Sequence, residues 1–266
     1  MPFKSSDTIR YYLFESLLEA GVTHACFTRR GGASPKPWAA LNLGGTVGDA
    51  PERVAENRSR ALGALGQSTR SIYDVWQVHS RKVVVAQAPR SAGQAPIQAD
   101  AILSDRPGVN LMMRFADCVP ILLYEPTKKI IGIVHAGWLG TIHRVAEAAV
   151  KAMEAEYGIR AINILGAIGP SIGAHHYEVG GEVVEQVKQA FGEDAGTVLG
   201  KYNGVPKGSG IQFDLWEANR LILERAGLKY IEVSGLCTAC DLKDWYSHRG
   251  ESGITGRFGV MIGLGG

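Results

Sequence analysis

The chain has 266 residues, 45% apolar and 20% charged, and its 28 basic and 26 acidic side chains leave a net charge of +2. It is long enough to bury a large core, and too evenly charged to coat a nucleic acid as a polycation. No run approaches about 18 consecutive apolar residues, so no membrane span is expected.

The opening stretch MPFKSSDTIRYYLFESLLEAG interleaves charge with apolar residues. It lacks the apolar centre of a signal peptide and reads as a short strand followed by a helix, so a cytoplasmic location is expected. Runs rich in β-branched and aromatic residues, bounded by Gly, Pro, Asp and Asn, predict strands at VTHACFT (22–28), VVVAQ (83–87) and DAILS, which begins at Asp100. The same pattern continues in VNLMMRF (109–115), VPILLYE (119–125) and IIGIVHA (130–136). Between the first two of these, residues 49–66 carry Val54, Ala55, Leu62 and Leu65, with Pro51 suited to a first turn and Gly66 to a stop, and predict a helix.

Beyond VHAGW, residues 141–158 repeat Ile142, Val145, Ala146, Ala149, Val150 and Met153 at helical spacing up to Gly158, predicting one amphipathic helix. A strand at 161–168, helices at 180–192 and 214–227, the latter capped by Asp214, and strands at 229–235 and 258–264 complete the chain. Residues 36–51 and 200–212 read as the long loops. Strands clustered early with helices mixed in later predict an α/β fold, bordering on α+β, around a mixed sheet. No repeat or low-complexity linker divides the chain, so residues 1–266 read as one domain.

Three residues at the ends of apolar runs stand out: His79 in WQVHS, Cys118 in ADCVP and His135 in VHAGW. Each alone reads as a core residue. Two imidazoles and a thiolate together make a ligand set for zinc, and three protein ligands leave a position open for water or substrate. Their spacing forms no compact zinc pattern, so only the fold can join them.

FTRRGGAS (27–34) puts two arginines before a Gly-Gly turn, and YSHRGESGITGR (246–257) sets His248, Arg249, Glu251 and Arg257 among glycines; either is an anion-accepting loop or a solvated one. The adjacent His175 and His176 in AIGPSIGAHHYEVG read as a solvated pair, because neighbours in sequence seldom point the same way. CTAC (237–240) is a lone C-x-x-C and reads as incidental, reduced cysteines rather than a redox pair, as does the cysteine content generally.

The ordered set FTRRGGAS, LNLGGTVGD, VAENR, QVHS, ADAILSD, ADCVPILL, VHAGW, GPSIG, YEVG, CT and YSHR followed by TGR resembles the YfiH family of multicopper polyphenol oxidase (laccase) domain proteins, from about residue 22 to 264. The resemblance implies a three-layer α/β fold, similar to the catalytic domain of a bacterial cytotoxic necrotizing factor. It implies zinc on His79, Cys118 and His135, with copper able to enter in vitro. The implied activity is phosphorolysis of adenosine, inosine, guanosine and methylthioadenosine, with deamination of adenosine; the partners are then a purine nucleoside and phosphate, with neither nucleic acid nor membrane, on a monomer or weak homo-oligomer. Other branches are described as laccases or as peptidoglycan editing factors.

Expected catalytic residues are Cys118, His135 and Asp117, the last to orient a metal ligand or move a proton. Expected substrate and phosphate contacts are Arg29, Asn42, His248 and Arg249. Leu139 and Gly250 stand where the family usually has arginine, removing two anion contacts. Rival readings are a cysteine hydrolase with Cys118 as nucleophile and His135 as base, a copper phenol oxidase, and a non-catalytic zinc-stabilised binding domain.

Overall fold

The computed structural model of the protein describes residues 2–201 and 210–264. β1 (Phe3–Ser6) and β2 (Ile9–Tyr12) pair as a hairpin and α1 (Glu15–Glu19) leads into β3 (Thr23–Phe27), so the opening segment holds one strand more than expected. After a long loop come α2 (Pro51–Gly63), β4 (Ile72–Tyr73), β5 (Val83–Val85), β6 (Ala101–Ser104), β7 (Asn110–Phe115), β8 (Val119–Glu125) and β9 (Ile130–Ala136). α3 (Trp138–Ile142), α4 (Val145–Tyr157), β10 (Leu165–Ile168), β11 (Glu178–Val179), α5 (Gly181–Phe191), α6 (Ala195–Val198) and β12 (Leu199–Gly200) follow. β13 (Ile211–Phe213), α7 (Leu215–Arg225), β14 (Tyr230–Val233) and β15 (Phe258–Gly263) complete the described elements. The expected loop at 200–212 is thus edged by β12 and β13, and its residues 202–209 lie outside the described residues.

Two six-stranded sheets carry the fold, in the orders β1-β2-β3-β15-β7-β4 and β14-β10-β8-β9-β6-β5. Both are mixed: β4 runs parallel to β7 in the first, and β5 parallel to β6 and β14 to β10 in the second. The period of two along each strand explains how they stack. Leu111, Met113, Val260 and Ile262 of the first sheet meet Ile102, Leu122, Ile131 and Ile133 of the second in one buried cluster. The alternate residues Leu103, Ile121, Leu123 and Val134 turn the other way, onto α4, α5 and α7. β8 and β9 are buried at every position, which is why they read as continuous apolar runs instead of alternating ones.

The mixed α/β character is as expected, with sheet, sheet and helices as its layers. α2 adds a cover outside the first sheet, where Ala61 and Leu62 pack on Ala25, Phe27, Met112 and Met261. The helix expected over 141–158 is two: Arg144 adopts a left-handed φ of 59° between α3 and α4 and donates to the Ala190 carbonyl at 2.9 Å. The Asp214 cap is confirmed by its side chain accepting from the Glu217 amide at 3.0 Å. Among the described residues no helix is long and apolar enough to cross a membrane.

Candidate active site

Strand register builds the site. In the β8–β9 hairpin Val119 pairs with Ala136 and Pro120 with His135, so Cys118, one residue before β8, lies beside the end of β9. On the other side of β9, Ala101 pairs with Val134, and the His135 amide donates to the Asp100 carbonyl at 2.8 Å. β5 runs parallel to β6, so its approach, carrying His79, arrives at the same end of the sheet. Residues far apart in the chain meet because three strands begin where one ends.

There the ligand atoms of His79, Cys118 and His135 all lie within 4.8 Å of one another, with Cys118 Sγ 3.8 Å from His79 Nε2. His135 is buried, Cys118 intermediate and His79 exposed, so the group opens to solvent through His79. Gly137 makes room for it: a Cβ at this position would stand 2.8 Å from Cys118 Sγ and 3.0 Å from His79 Cδ2. The donor set, the convergence and the cleared space fit a metal ion held by these three residues.

Asp100, which the sequence reading left without a role, organises this centre. It is fully buried, and its Oδ1 accepts from His135 Nδ1 at 2.8 Å and from the His79 amide at 3.0 Å. Its Oδ2 accepts from the Ser80 amide at 2.6 Å and the Ser80 hydroxyl at 2.8 Å. One carboxylate thus sets the His135 ring, with Nε2 left for the metal side, and holds the turn on which His79 sits at a φ of 59°. The signal for it was an aspartate flanked by alanines at the start of a buried strand.

The charges are coupled. Burial alone would raise the Asp100 carboxyl, but the hydrogen bond and charge of His135 hold it down at about 2. Burial would likewise raise Cys118, yet His135 and His79 bring the thiol down to about 6. Against the desolvation that would lower it, His135 is pushed up to about 9 by the Cys118 charge and the Asp100 hydrogen bond. Without a metal, these opposed shifts favour a thiolate beside an imidazolium.

Asp117 precedes Cys118 at a φ of 84°, where the chain crosses from the first sheet to the second. Its Oδ1 accepts from the Thr238 hydroxyl at 2.7 Å and its Oδ2 from the Arg249 amide at 2.6 Å. It therefore ties together loops around Cys118 and makes no hydrogen bond to His79, Cys118 or His135, so it does not orient one of them directly. Arg249 is exposed; its Nη1 donates to the Glu178 carbonyl at 3.0 Å and its guanidinium lies 5.2 Å over the Tyr177 ring. Burial first, then the Cys118 charge, raises the Tyr177 hydroxyl and keeps it protonated. His248 is exposed and its ring makes no hydrogen bond among the described residues.

Two expected contacts are committed elsewhere. Arg29 donates to the Ala39 carbonyl at 2.8 Å, the Leu242 carbonyl at 3.0 Å and Glu251 at 3.0 Å, and lies 4.3 Å over the Tyr246 ring. Asn42 is fully buried and spends its amide on Gly44, Asp49 and the Arg257 amide. Asn42 has no donor left for a substrate, and Arg29 is braced internally through Nε and Nη1. What Asn42 positions is Arg257, whose Nη1 meets only the Thr255 and Gly256 carbonyls, at 3.3 and 2.8 Å. Burial lowers that guanidinium, opposed by the negative charges of Cys118 and Asp117, and no carboxylate pairs with it among the described residues. The sequence placed Arg257 in a loop that could accept an anion but did not single it out as a substrate contact.

A cavity of about 560 Å³ opens between α2 and the edge of the first sheet and shares none of these residues. The converging ligand chemistry locates the site better than volume does.

Residues 23–265 match the family model described as multi-copper polyphenol oxidoreductase laccase. A purine nucleoside phosphorylase of Deinococcus radiodurans is 40% identical over 243 residues, covering 91% of this chain and 89% of that protein. Purine nucleoside phosphorylase YlmD of Bacillus subtilis is 36% identical over 245 residues, covering 89% and 86%. The crystal structure of Bacillus licheniformis YfiH superposes with a TM-score of 0.89 at 31% identity, covering 99% of both chains. That of YlmD from Geobacillus stearothermophilus gives 0.87 at 31% identity, covering 100% of this chain and 99% of the other.

Proposed function

The chain belongs to the multi-copper polyphenol oxidoreductase laccase family, and from that premise we propose that it is a zinc-dependent purine nucleoside phosphorylase that also deaminates adenosine. Adenosine, inosine, guanosine and methylthioadenosine are the substrates, with phosphate as co-substrate. The reading is carried by one observation: His79, Cys118 and His135 converge at a solvent-open strand end, braced by Asp100. The names of the relatives favour phosphorolysis over phenol oxidation. A laccase needs several coppers, and the sequence has no His-x-His pairs to hold them.

Zinc held by the three residues supplies Lewis acidity to an oxygen brought against it. The chain's own residues do the rest. In phosphorolysis a phosphate oxygen bonds to the sugar C1′ as the C1′–N9 bond breaks, and its electron pair leaves with the base, which takes up a proton. Arg257 and Arg249 hold the phosphate through charge-assisted hydrogen bonds. Tyr177, kept protonated, offers a donor to the departing purine. In deamination water adds at C6 and ammonia leaves.

The neighbouring Cys118 and His135, with Asp100 behind the ring, also support a cysteine hydrolase, because they supply a nucleophilic sulfur, an imidazole to exchange its proton and an orienting carboxylate. Incubating the zinc-loaded protein with adenosine, with and without phosphate, and resolving products by chromatography tests both readings. Adenine that forms only with phosphate supports phosphorolysis, and inosine in either case supports deamination. Neither product from zinc-loaded protein would sink both proposed activities and leave the hydrolase.

A further inference from the structure

A second group of ligand-bearing side chains lies outside the site. His175, His176, Cys237 and Cys240 each offer one atom, and the four atoms all lie within 4.8 Å of one another. His175 Nε2 is already 3.0 Å from Cys240 Sγ. A tetrahedral zinc with bonds of about 2.0–2.3 Å separates its ligand atoms by roughly 3.3–3.8 Å, so only small side-chain rotations close the group around an ion.

The backbone is arranged for this. His175 and His176 share a single 3-10 turn, Ala174–His176, in which successive residues are about 120° apart, not opposed as in a strand. Their rings converge, with centroids 4.7 Å apart; His176 is exposed, as the solvated reading expected, and His175 half-buried. Gly173 clears the path, since a Cβ there would stand 2.7 Å from His175 Cε1, and its amide donates to Cys237 Sγ at 3.2 Å, stabilising negative charge on that sulfur. A bridge between Ser171 and Cys237 aligns the two segments. Cys237 is buried while Cys240 and His176 are exposed, so an ion could enter from solvent.

We propose that His175, His176, Cys237 and Cys240 form a second metal site, a closed Cys2His2 centre for zinc that is structural in role. Four protein ligands leave no open position for a substrate. The ion pins the 171–176 segment to the 237–240 segment. Thr238, between the two cysteines, donates to Asp117, the residue before Cys118, so the second centre stiffens one wall of the first.

The experiment is metal counting by plasma mass spectrometry on the full chain, equilibrated with zinc under a phosphine reductant and desalted. About two zinc per chain are expected for the wild type, and about one for Cys240→Ser, for His176→Ala and for Cys118→Ala. In Cys118→Ala loaded with cobalt(II), the intense sulfur-to-metal charge-transfer band of two thiolates should persist, and adding Cys240→Ser should remove it. Zinc content unchanged by both Cys240→Ser and His176→Ala overturns the site, as does a Cys118→Ala protein whose cobalt spectrum lacks the band. Because Cys118→Ala removes a ligand of the first centre only, the cobalt spectrum of that variant reports on the second centre alone, and failure of either centre is read separately from the other.

Discussion

His135 donates from Nδ1 to Asp100 Oδ1 at 2.8 Å, and the same oxygen accepts the His79 amide at 3.0 Å, so one buried carboxylate orients two of the three ligands. Asp100→Asn keeps the shape and removes the charge. Zinc affinity at the first centre should fall about 10–100-fold, measured by competition with a chromophoric chelator. An unchanged affinity would show that the ring is held by packing alone. Asp100 sits below its unfolded value, so its contribution to stability is complete above about pH 4 and is lost as pH falls towards about 2. Asp100→Asn should therefore flatten the acid end of the stability curve.

Gly137→Ala tests the cleared space. The residue has a φ of −71° and a ψ of 178°, which alanine adopts freely, so any effect is steric. The new methyl would meet the Cys118 sulfur at 2.8 Å. Zinc at the first centre and turnover should both fall sharply, while thermal stability of the metal-free protein drops by only about 1–3 kcal/mol.

Metal-free protein should be alkylated by iodoacetamide at Cys118 with a rate that rises through about pH 6 and levels above it, because the thiolate is already the resting form. Peptide mapping separates this from the exposed Cys240 and the buried Cys26, whose thiol burial pushes up. Zinc should protect Cys118. A Cys118 that reacts only above about pH 8, as an ordinary thiol does, contradicts the ion pair.

The arginines should separate by phenotype. Arg257→Ala should raise the KM for phosphate by about 10–100-fold with little loss of stability, the worth of one charge-assisted contact. Arg29→Ala should leave that KM nearly unchanged and cost roughly 2–4 kcal/mol, since it strips Glu251 and three carbonyls of their donor. Steady-state kinetics and thermal denaturation on both variants decide the assignment; the reverse pattern restores Arg29 as the phosphate contact.

The strands and long helices were legible because each carries its own period: β8 and β9 as unbroken apolar runs, α7 as a capped amphipathic helix. The ligand trio was legible as residue types. Its brace was not, because Asp100 is recognisable only once the β6–β9 register puts it beside His135. The bracing role of Arg29 and Asn42 was hidden for a related reason, since an arginine before a glycine turn and a buried asparagine look alike in sequence whether they face a ligand or the chain's own carbonyls. The break between α3 and α4 left no mark either: Arg144 is a good helix former that tertiary contacts hold in a left-handed conformation. The convergence of His175 and His176 was missed because strand geometry was assumed where a 3-10 turn exists.

The register that joins β8 to β9 also sets an order of assembly. Cys118 and His135 lie at the two ends of one antiparallel hairpin, a local pairing that closes quickly. His79 reaches them only when β5 docks parallel to β6, a pairing that waits for a crossover connection and is slower. A refolding chain would thus present a bidentate thiol-imidazole clip well before the third ligand arrives, and zinc captured early on that clip could seed the late docking of β5.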